Sequence, residues 1–403
     1  MNLPGISFAY LRAKPLSTAL NLLLLALGIA TITVLMLATR QLEERMTRDA
    51  RGIDLVAGAK GSPMQLVLSA VFHLDAPAGN IALADAAQLA KNRAVKRAIP
   101  IALGDSFRGY RIVGTNHDYP AHYGARLADG SLWTKPMEAV LGAEAARATR
   151  LAVGASFTAA HGVGASGGED HDALPYRVVG VLAPTGSVID RVVLTSVESV
   201  WAVHGHAEPG ADPQAIVDAM EEEEKELTAL LIQYASPLAA ALLPRQVNAG
   251  PLQAASPAYE SARLFRMLGV GIEVLRAFGF VLVLTAGLSV FIALTNALEE
   301  RRYDLAVMRM LGATRGKLMA LLMLEGLTLG AAGAALGLVL GHLLSGVLGA
   351  ALRAQQQVPV TGWDWTLAEL WLVALALGVG VLAALIPAWR ASRAEVAPVL
   401  AEG

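Results

Sequence analysis

Apolar and polar residues are sharply segregated along this chain. Leu16 to Thr39 carries no charged side chain, and neither does Ala277 to Leu298. Leu318 to Leu352 is broken only by Glu325 and His342, and Thr366 to Trp389 only by Glu369. A helix needs about 20 apolar residues to cross a hydrocarbon core of roughly 30 Å. The pattern therefore predicts four transmembrane helices. The first run is too long for the apolar region of a cleaved signal, and Ala38-Thr39-Arg40 is a poor cleavage site. It reads as a retained anchor.

Between the first two runs the pattern changes to short apolar stretches bounded by turn residues. Arg111–Gly114, Ala139–Gly142, Tyr176–Leu182 and Arg191–Leu194 read as strands. Ala84 to Asn92 reads as a short helix. Asp212 as N-cap with Pro213 behind it predicts a longer helix through Glu221, Glu222, Glu223 and Glu224, a solvated acidic face. Another, from about Ser256 through Leu275, reads as a stalk running into the membrane. The fold class expected is an integral membrane protein of four transmembrane α-helices, one N-terminal and three C-terminal. A large α+β extracytoplasmic domain is inserted between helices one and two. Residues 1–39 hold the N-terminal cytoplasmic segment and helix one, and 40–255 the outer domain. Stalk and helix two occupy 256–298, a cytoplasmic loop 299–317, and helix three 318–352. A short outer loop (353–365), helix four (366–389) and a cytoplasmic tail (390–403) follow.

Composition sharpens this. Of 403 residues 55% are hydrophobic and 16% charged, against about 25% charged in an ordinary soluble domain. The net charge of -2 leaves no basic footprint for nucleic acid. With no cysteine, disulfides, thiolate metal sites and cysteine nucleophiles are all excluded. Basic residues sit at Arg12 and Lys14 before helix one, at Arg301, Arg302, Arg309, Arg315 and Lys317 between helices two and three, and at Arg390 and Arg393 after helix four. The loop between helices three and four has only Arg353, with Trp363 and Trp365 as an aromatic belt. By the positive-inside rule both termini and the basic loop are cytoplasmic, and the long insert lies outside.

The basic loop is the most informative segment. Leu305, Met308 and Leu311 or Gly312 recur at helical spacing between two basic clusters, which predicts a short amphipathic helix. Gly312 suits its C′ position, and Thr314 can cap the next helix. An apolar stripe on so short a helix fits docking into a groove on a soluble partner.

These residues resemble the cytoplasmic loop of the FtsX-like/MacB-like (type VII) permease family of ABC transporters. The likeness is carried by Arg301, Arg302, Asp304, Arg309, Leu311-Gly312-Ala313-Thr314 and Leu324-Glu325. The ending Pro387-Ala388-Trp389-Arg390-Ala391-Ser392-Arg393 with Pro398 is also similar, as are Val140-Leu141-Gly142 and Tyr176-Arg-Val-Val-Gly180. The resemblance implies a non-catalytic permease subunit in a bacterial inner membrane, with a periplasmic domain. Its loop helix would dock on a separate ABC ATPase, with Arg301, Arg302, Asp304, Leu305, Met308, Arg309, Leu311 and Gly312 as coupling residues. That ATPase would bind ATP and Mg, and a second permease copy, identical or paralogous, would complete the complex. A periplasmic protein is a further partner for the outer domain. ATP-driven motion would pass outward through helix two and the stalk, for export or mechanotransmission. In agreement, the chain contains no G-x-x-x-x-G-K-[ST] phosphate loop; Gly312-Ala-Thr-Arg-Gly-Lys317-Leu318 has the wrong spacing and lacks the hydroxyl.

Other features carry open alternatives. Gly333, Gly337, Gly341, Ser345 and Gly349 form a small-residue ladder, for packing either against a helix of the same subunit or against a second subunit. Glu325, an acid inside a membrane helix, should face protein or water in a coupling or packing role, or else snorkel to the interface. His161, His171, His204 and His206, with Glu169, Asp170 and Glu208, are of the right type for a zinc-like ion, although their spacing matches no established motif. Gly164-Ala165-Ser166-Gly167-Gly168 matches G-x-S-x-G only formally, because its surroundings read as a loop. The competing functional class is a membrane-anchored sensor whose outer domain captures a metal or ligand without ATP.

Overall fold

The computed structural model describes residues 3–161, 174–205, 211–356 and 360–393. The chain divides into two compact units, Glu43–Met267 and a second made of Met1–Leu42 with Leu268–Gly403.

The second unit is helical. Among the described residues four helices are long and apolar enough to cross a membrane: Pro15–Asp49, Pro257–Glu300, Arg315–Gln356 and Glu369–Arg393. A short helix, Leu3–Ala13, precedes the first. The first spanning helix continues past its apolar run to Asp49, and the stalk expected from Ser256 is the start of one uninterrupted second helix. One apolar core joins Leu25, Ile29 and Ile32 of the first helix to Val283, Ala286, Ala334, Leu372 and Ala376. Another joins Val290, Leu294, Leu318, Leu322, Leu329, Ala384 and Ala388. Glycine makes the close approaches feasible. A Cβ on Gly337 would lie 2.6 Å from Ile29 Cβ, and one on Gly341 2.6 Å from Thr33 Cβ.

The other unit is α+β, as expected. Its strands are β1 (Leu55–Gly58), β2 (Ile81–Ala82), β3 (Val95–Phe107), β4 (Tyr110–Thr115), β5 (Leu127–Gly130), β6 (Glu138–Leu141) and β7 (Ser156–Phe157). They continue as β8 (Ala160–His161), β9 (Tyr176–Leu182), β10 (Val192–Ser196), β11 (Glu226–Leu227), β12 (Ala229–Tyr234) and β13 (Gln253–Ala255). The main sheet runs β13-β1-β12-β3-β4-β10-β6-β9-β5, with β7 on β9 and β8 on β3. Two pairs in it, β10 with β4 and β6 with β9, are parallel. The long β3 joins two halves: its first part pairs with β12, and its last part, from Ala102 and across a bulge between Leu103 and Ser106, pairs with β4. Each half has its own core. Leu55, Ala57, Leu230, Ile232 and Leu243 pack in one, and Ile112, Leu141, Tyr176, Val178 and Val193 in the other.

The four strands read from the sequence occur within a residue or two of their expected ends. The helix capped by Asp212 does not. Asp212 accepts from Gln214 N as a cap should, but the helix ends at Ala219, and Glu221–Glu224 form a turn. Four consecutive carboxylates would crowd the helix's C-terminal end, where the dipole already disfavours negative charge.

Candidate coupling site

The basic loop forms a helix over Arg302–Met310. Gly312 takes φ +96°, a left-handed turn that glycine adopts without a steric penalty, and Ala313 N donates to Met308 O at 3.0 Å to close the end. Thr314 Oγ1 then accepts from Lys317 N at 3.3 Å, capping the third spanning helix.

This helix presents an apolar face that only partly matches the one its spacing suggested. Leu305 is buried among Leu298, Leu318 and Leu322, and Met308 packs partly against the same cluster. They hold the loop to the chain's own helices and are not free anchors for a partner. Exposed instead are Tyr303, Met310 and Leu311, the last 83% accessible, beside Arg302 and Asp304. Periodicity identified one stripe, but a helix lying on its own core turns Leu305 and part of Met308 inward and leaves Leu311, at its end, outward.

Arg301, expected on the docking face, likewise turns into its own chain. Its side chain is only 13% exposed, and Nη1 pairs with Glu325 Oε1 at 3.2 Å. Its guanidinium lies over the Tyr10 ring, 3.8 Å from the centroid. Arg301 therefore fastens the loop to the third spanning helix and to the N-terminal helix, and Glu325 has a buried partner inside its own chain. Lys14 pairs with Glu300, and Arg302 pairs with Glu299 at 3.3 Å on the surface.

The glycine ladder meets the first spanning helix: Gly333 faces Leu25, Gly337 faces Ile29, and Gly341 faces Thr33. Ser345 is buried, and its hydroxyl has no hydrogen-bond partner. At the other end of the third helix lies a polar cluster that sequence reasoning missed. His342 Nδ1 bonds Gly362 O at 2.7 Å, Nε2 faces Glu369 Oε2 at 3.2 Å, and the ring stacks on Trp365. Gln41 of the first helix exchanges two bonds with the Thr361 backbone, of 2.7 and 2.8 Å. Polar residues isolated in apolar runs were the available signal.

In the outer unit His204 Nε2 stands 3.6 Å from Asp105 Oδ2, at the edge of a cleft of about 840 Å³ walled by Leu103, Trp201, Ile216 and Met220. His161 stands opposite Asp105 in the β3–β8 ladder. His171 and His206 lie outside the described residues, as do Glu169, Asp170, Glu208, the Gly164–Gly168 motif and Pro398. Among the described residues no three His, Asp or Glu side chains converge as metal ligands. Other histidines serve the fold: His73 Nε2 bonds Tyr119 OH at 2.9 Å, and His117 Nε2 bonds Trp133 O at 2.9 Å.

Comparison with known proteins agrees with this architecture. Residues 18–223 match the MacB-like periplasmic core domain, and residues 276–396 match the FtsX-like permease C-terminal domain. Among solved structures, the periplasmic region of MacB from Actinobacillus actinomycetemcomitans is similar at 14% identity, over 54% of this chain and 97% of that one, with a TM-score of 0.34. The extracellular domain of the noncanonic ABC-type transporter YknZ from Gram-positive bacteria is similar at 12% identity, over 50% and 98%, with a TM-score of 0.29. No curated protein matches. With the MacB-like core spanning just over half of the sequence and the FtsX-like region running from within the second spanning helix through the fourth, the chain belongs to the FtsX-like/MacB-like family of ABC transporter permeases.

Proposed function

We propose that this permease couples ATP hydrolysis by a separate ATPase to motion of its outer domain, for export or for activating a periplasmic protein. The observation that carries this reading is the loop helix: an exposed face of Arg302, Tyr303, Met310 and Leu311 on a segment braced from behind by the buried Arg301–Glu325 pair. An apolar patch rimmed with charge suits a groove on a soluble protein, and the brace lets a push on the helix reach the third spanning helix. ATP and Mg belong to the partner, since the chain has no phosphate loop of its own. Both termini and the loop helix face the cytoplasm of a bacterial inner membrane in this reading. The second spanning helix leaves Val274, Phe278, Val281 and Leu288 exposed, a surface for lipid and for a second permease copy.

The test is co-purification with a candidate ABC ATPase co-expressed with this chain. Tyr303→Asp with Leu311→Asp should weaken association at least about tenfold, roughly 1.4 kcal/mol. Charge reversal at Arg302 and Arg309 should act in the same direction. Leu305→Ala should instead lower the melting temperature, because it opens a cavity in the chain's own core. Unchanged assembly and ATP turnover in the Tyr303/Leu311 variant would refute the docking face.

A second reading, an outer domain that captures a ligand or a zinc-like ion without ATP, is favoured only by the cleft beside His204 and Asp105. Calorimetric titration of the full chain with zinc, before and after His204→Ala, separates the two.

A further inference from the structure

We propose that Asp49 is the positioning residue through which the first spanning helix moves the outer domain. This rests on the coupling function above and adds a route to the one expected through the second helix.

Asp49 ends the helix that begins at Pro15, and residues 43–49 of that helix belong to the outer unit. The local helpers, Arg45 and Arg48 of the same helix, favour its ionised form less than its tertiary partners do. A helix C-terminus repels negative charge, and burial pushes the Asp49 carboxyl up from its ordinary value, with Arg191 pulling the other way. What holds it is tertiary. Its Oδ1 accepts from Val188 N at 2.8 Å, and Oδ2 lies 3.9 Å from Arg191 Nη2. Tyr123 OH donates to the Asp49 carbonyl at 3.0 Å, and Arg48 Nη1 donates to Gly186 O at 2.9 Å. The helix end is thus fastened on two sides.

The segment that receives it is stiff. Asp190 ties the 185–190 turn together, accepting from Thr185 N and Thr185 Oγ1, each at 2.9 Å, and from Gly186 N at 2.8 Å. Directly after it comes β10, an interior strand bonded to β4 on one side and β6 on the other. A displacement of Asp49 therefore enters the middle of the sheet.

The second spanning helix joins the unit differently. It follows β13, which is an edge strand. Its buried acid, Glu260, forms an ion pair with Arg263 of the same helix at 3.6 Å, and Oε2 accepts no hydrogen bond. Within the outer unit, then, Asp49 is fastened beside an interior strand, whereas Glu260 follows an edge strand and pairs within its own helix.

The chain has no cysteine, so a cysteine pair can be reserved for cross-linking while genetically encoded, redox-inert spin labels report distances. The full chain, assembled with its ATPase, is spin-labelled in the outer domain and compared without nucleotide and with MgATP plus vanadate. Asp49→Ala should leave assembly and basal ATP turnover near wild type. It should shrink the nucleotide-dependent distance change severalfold. Asp49→Cys with Val188→Cys should restore the change when oxidised and lose it when reduced, a rescue that a merely stabilising residue would not show. That pair also serves if Asp49→Ala fails to fold. An unchanged response in Asp49→Ala, or a cysteine pair indifferent to oxidation, would overturn the role of Asp49. No nucleotide response in the wild type would instead overturn the coupling function itself.

Discussion

At the scale of single residues, the decisive feature is a charge pair where apolar side chains would be expected. Glu325 sits in a membrane helix with its side chain 2% exposed, and Arg301 satisfies it from the start of the loop. Removing one member of a buried pair leaves the other uncompensated, at about 3–5 kcal/mol. Glu325→Ala should therefore lower the thermal stability of the detergent-solubilised chain markedly. Arg301→Met combined with Glu325→Leu should recover most of the loss, because the apolar replacement strands no charge. If the double variant is as unstable as the single one, the pair's contribution is not electrostatic. That an acid at this position needed a partner was legible from its neighbours in sequence. That the partner is Arg301, and not a residue of another chain, was not, because the two are brought together only by the turn at Gly312 and the packing of the N-terminal helix.

At the scale of elements, periodicity marks which faces are apolar but not what covers them. The ladder of Gly333, Gly337 and Gly341 left two partners open, and the structure seats it on the first spanning helix. Gly337→Leu should be disruptive, since even its Cβ would meet Ile29 at 2.6 Å and the Ala26 carbonyl at 2.9 Å. Overpacking of this kind costs about 1–3 kcal/mol. Gly378→Leu on the fourth helix is the control, because a Cβ there meets nothing within 4 Å. Thermal unfolding of both variants checks the difference; equal melting temperatures would place the ladder against something other than the first helix. The loop helix shows the same ambiguity with the opposite sense. Its stripe looked like a docking surface throughout, but Leu305 proved to be core and Met308 half-buried, while Leu311 stayed exposed beside Tyr303 and Met310, which lie off the stripe.

At the scale of the whole molecule, the outer unit's stability depends on groups that titrate inside it. Burial, with Arg111 and Arg191 adding to it against the Ser69 carbonyl bond, holds the His73 imidazole down to about 3. The unfolded chain protonates this histidine near its ordinary value, so below about pH 6.5 it binds a proton that the folded state refuses. Stability should fall with acidification by about 1.4 kcal/mol per pH unit between those limits. Asp49, whose carboxyl is raised, works in the opposite direction on acidification, so the comparison is made between His73 and its replacement. Denaturant titrations of the full chain at pH 4, 5 and 6 should show a shallower slope in His73→Asn, a residue that tolerates the local φ of +54°. An identical slope would mean that His73 is already solvated. Four spans, one large insert between the first and second, and an α+β insert were determined by the sequence alone, because the cost of burying charge in lipid and the period of a half-buried strand are local quantities. The tertiary structure alone decided which apolar stripe is core and which is surface. It also decided that Asp49 meets Val188 across 139 positions and that Glu325 closes on Arg301. Those outcomes depend on which surfaces compete for the same space, a comparison that no window of sequence contains.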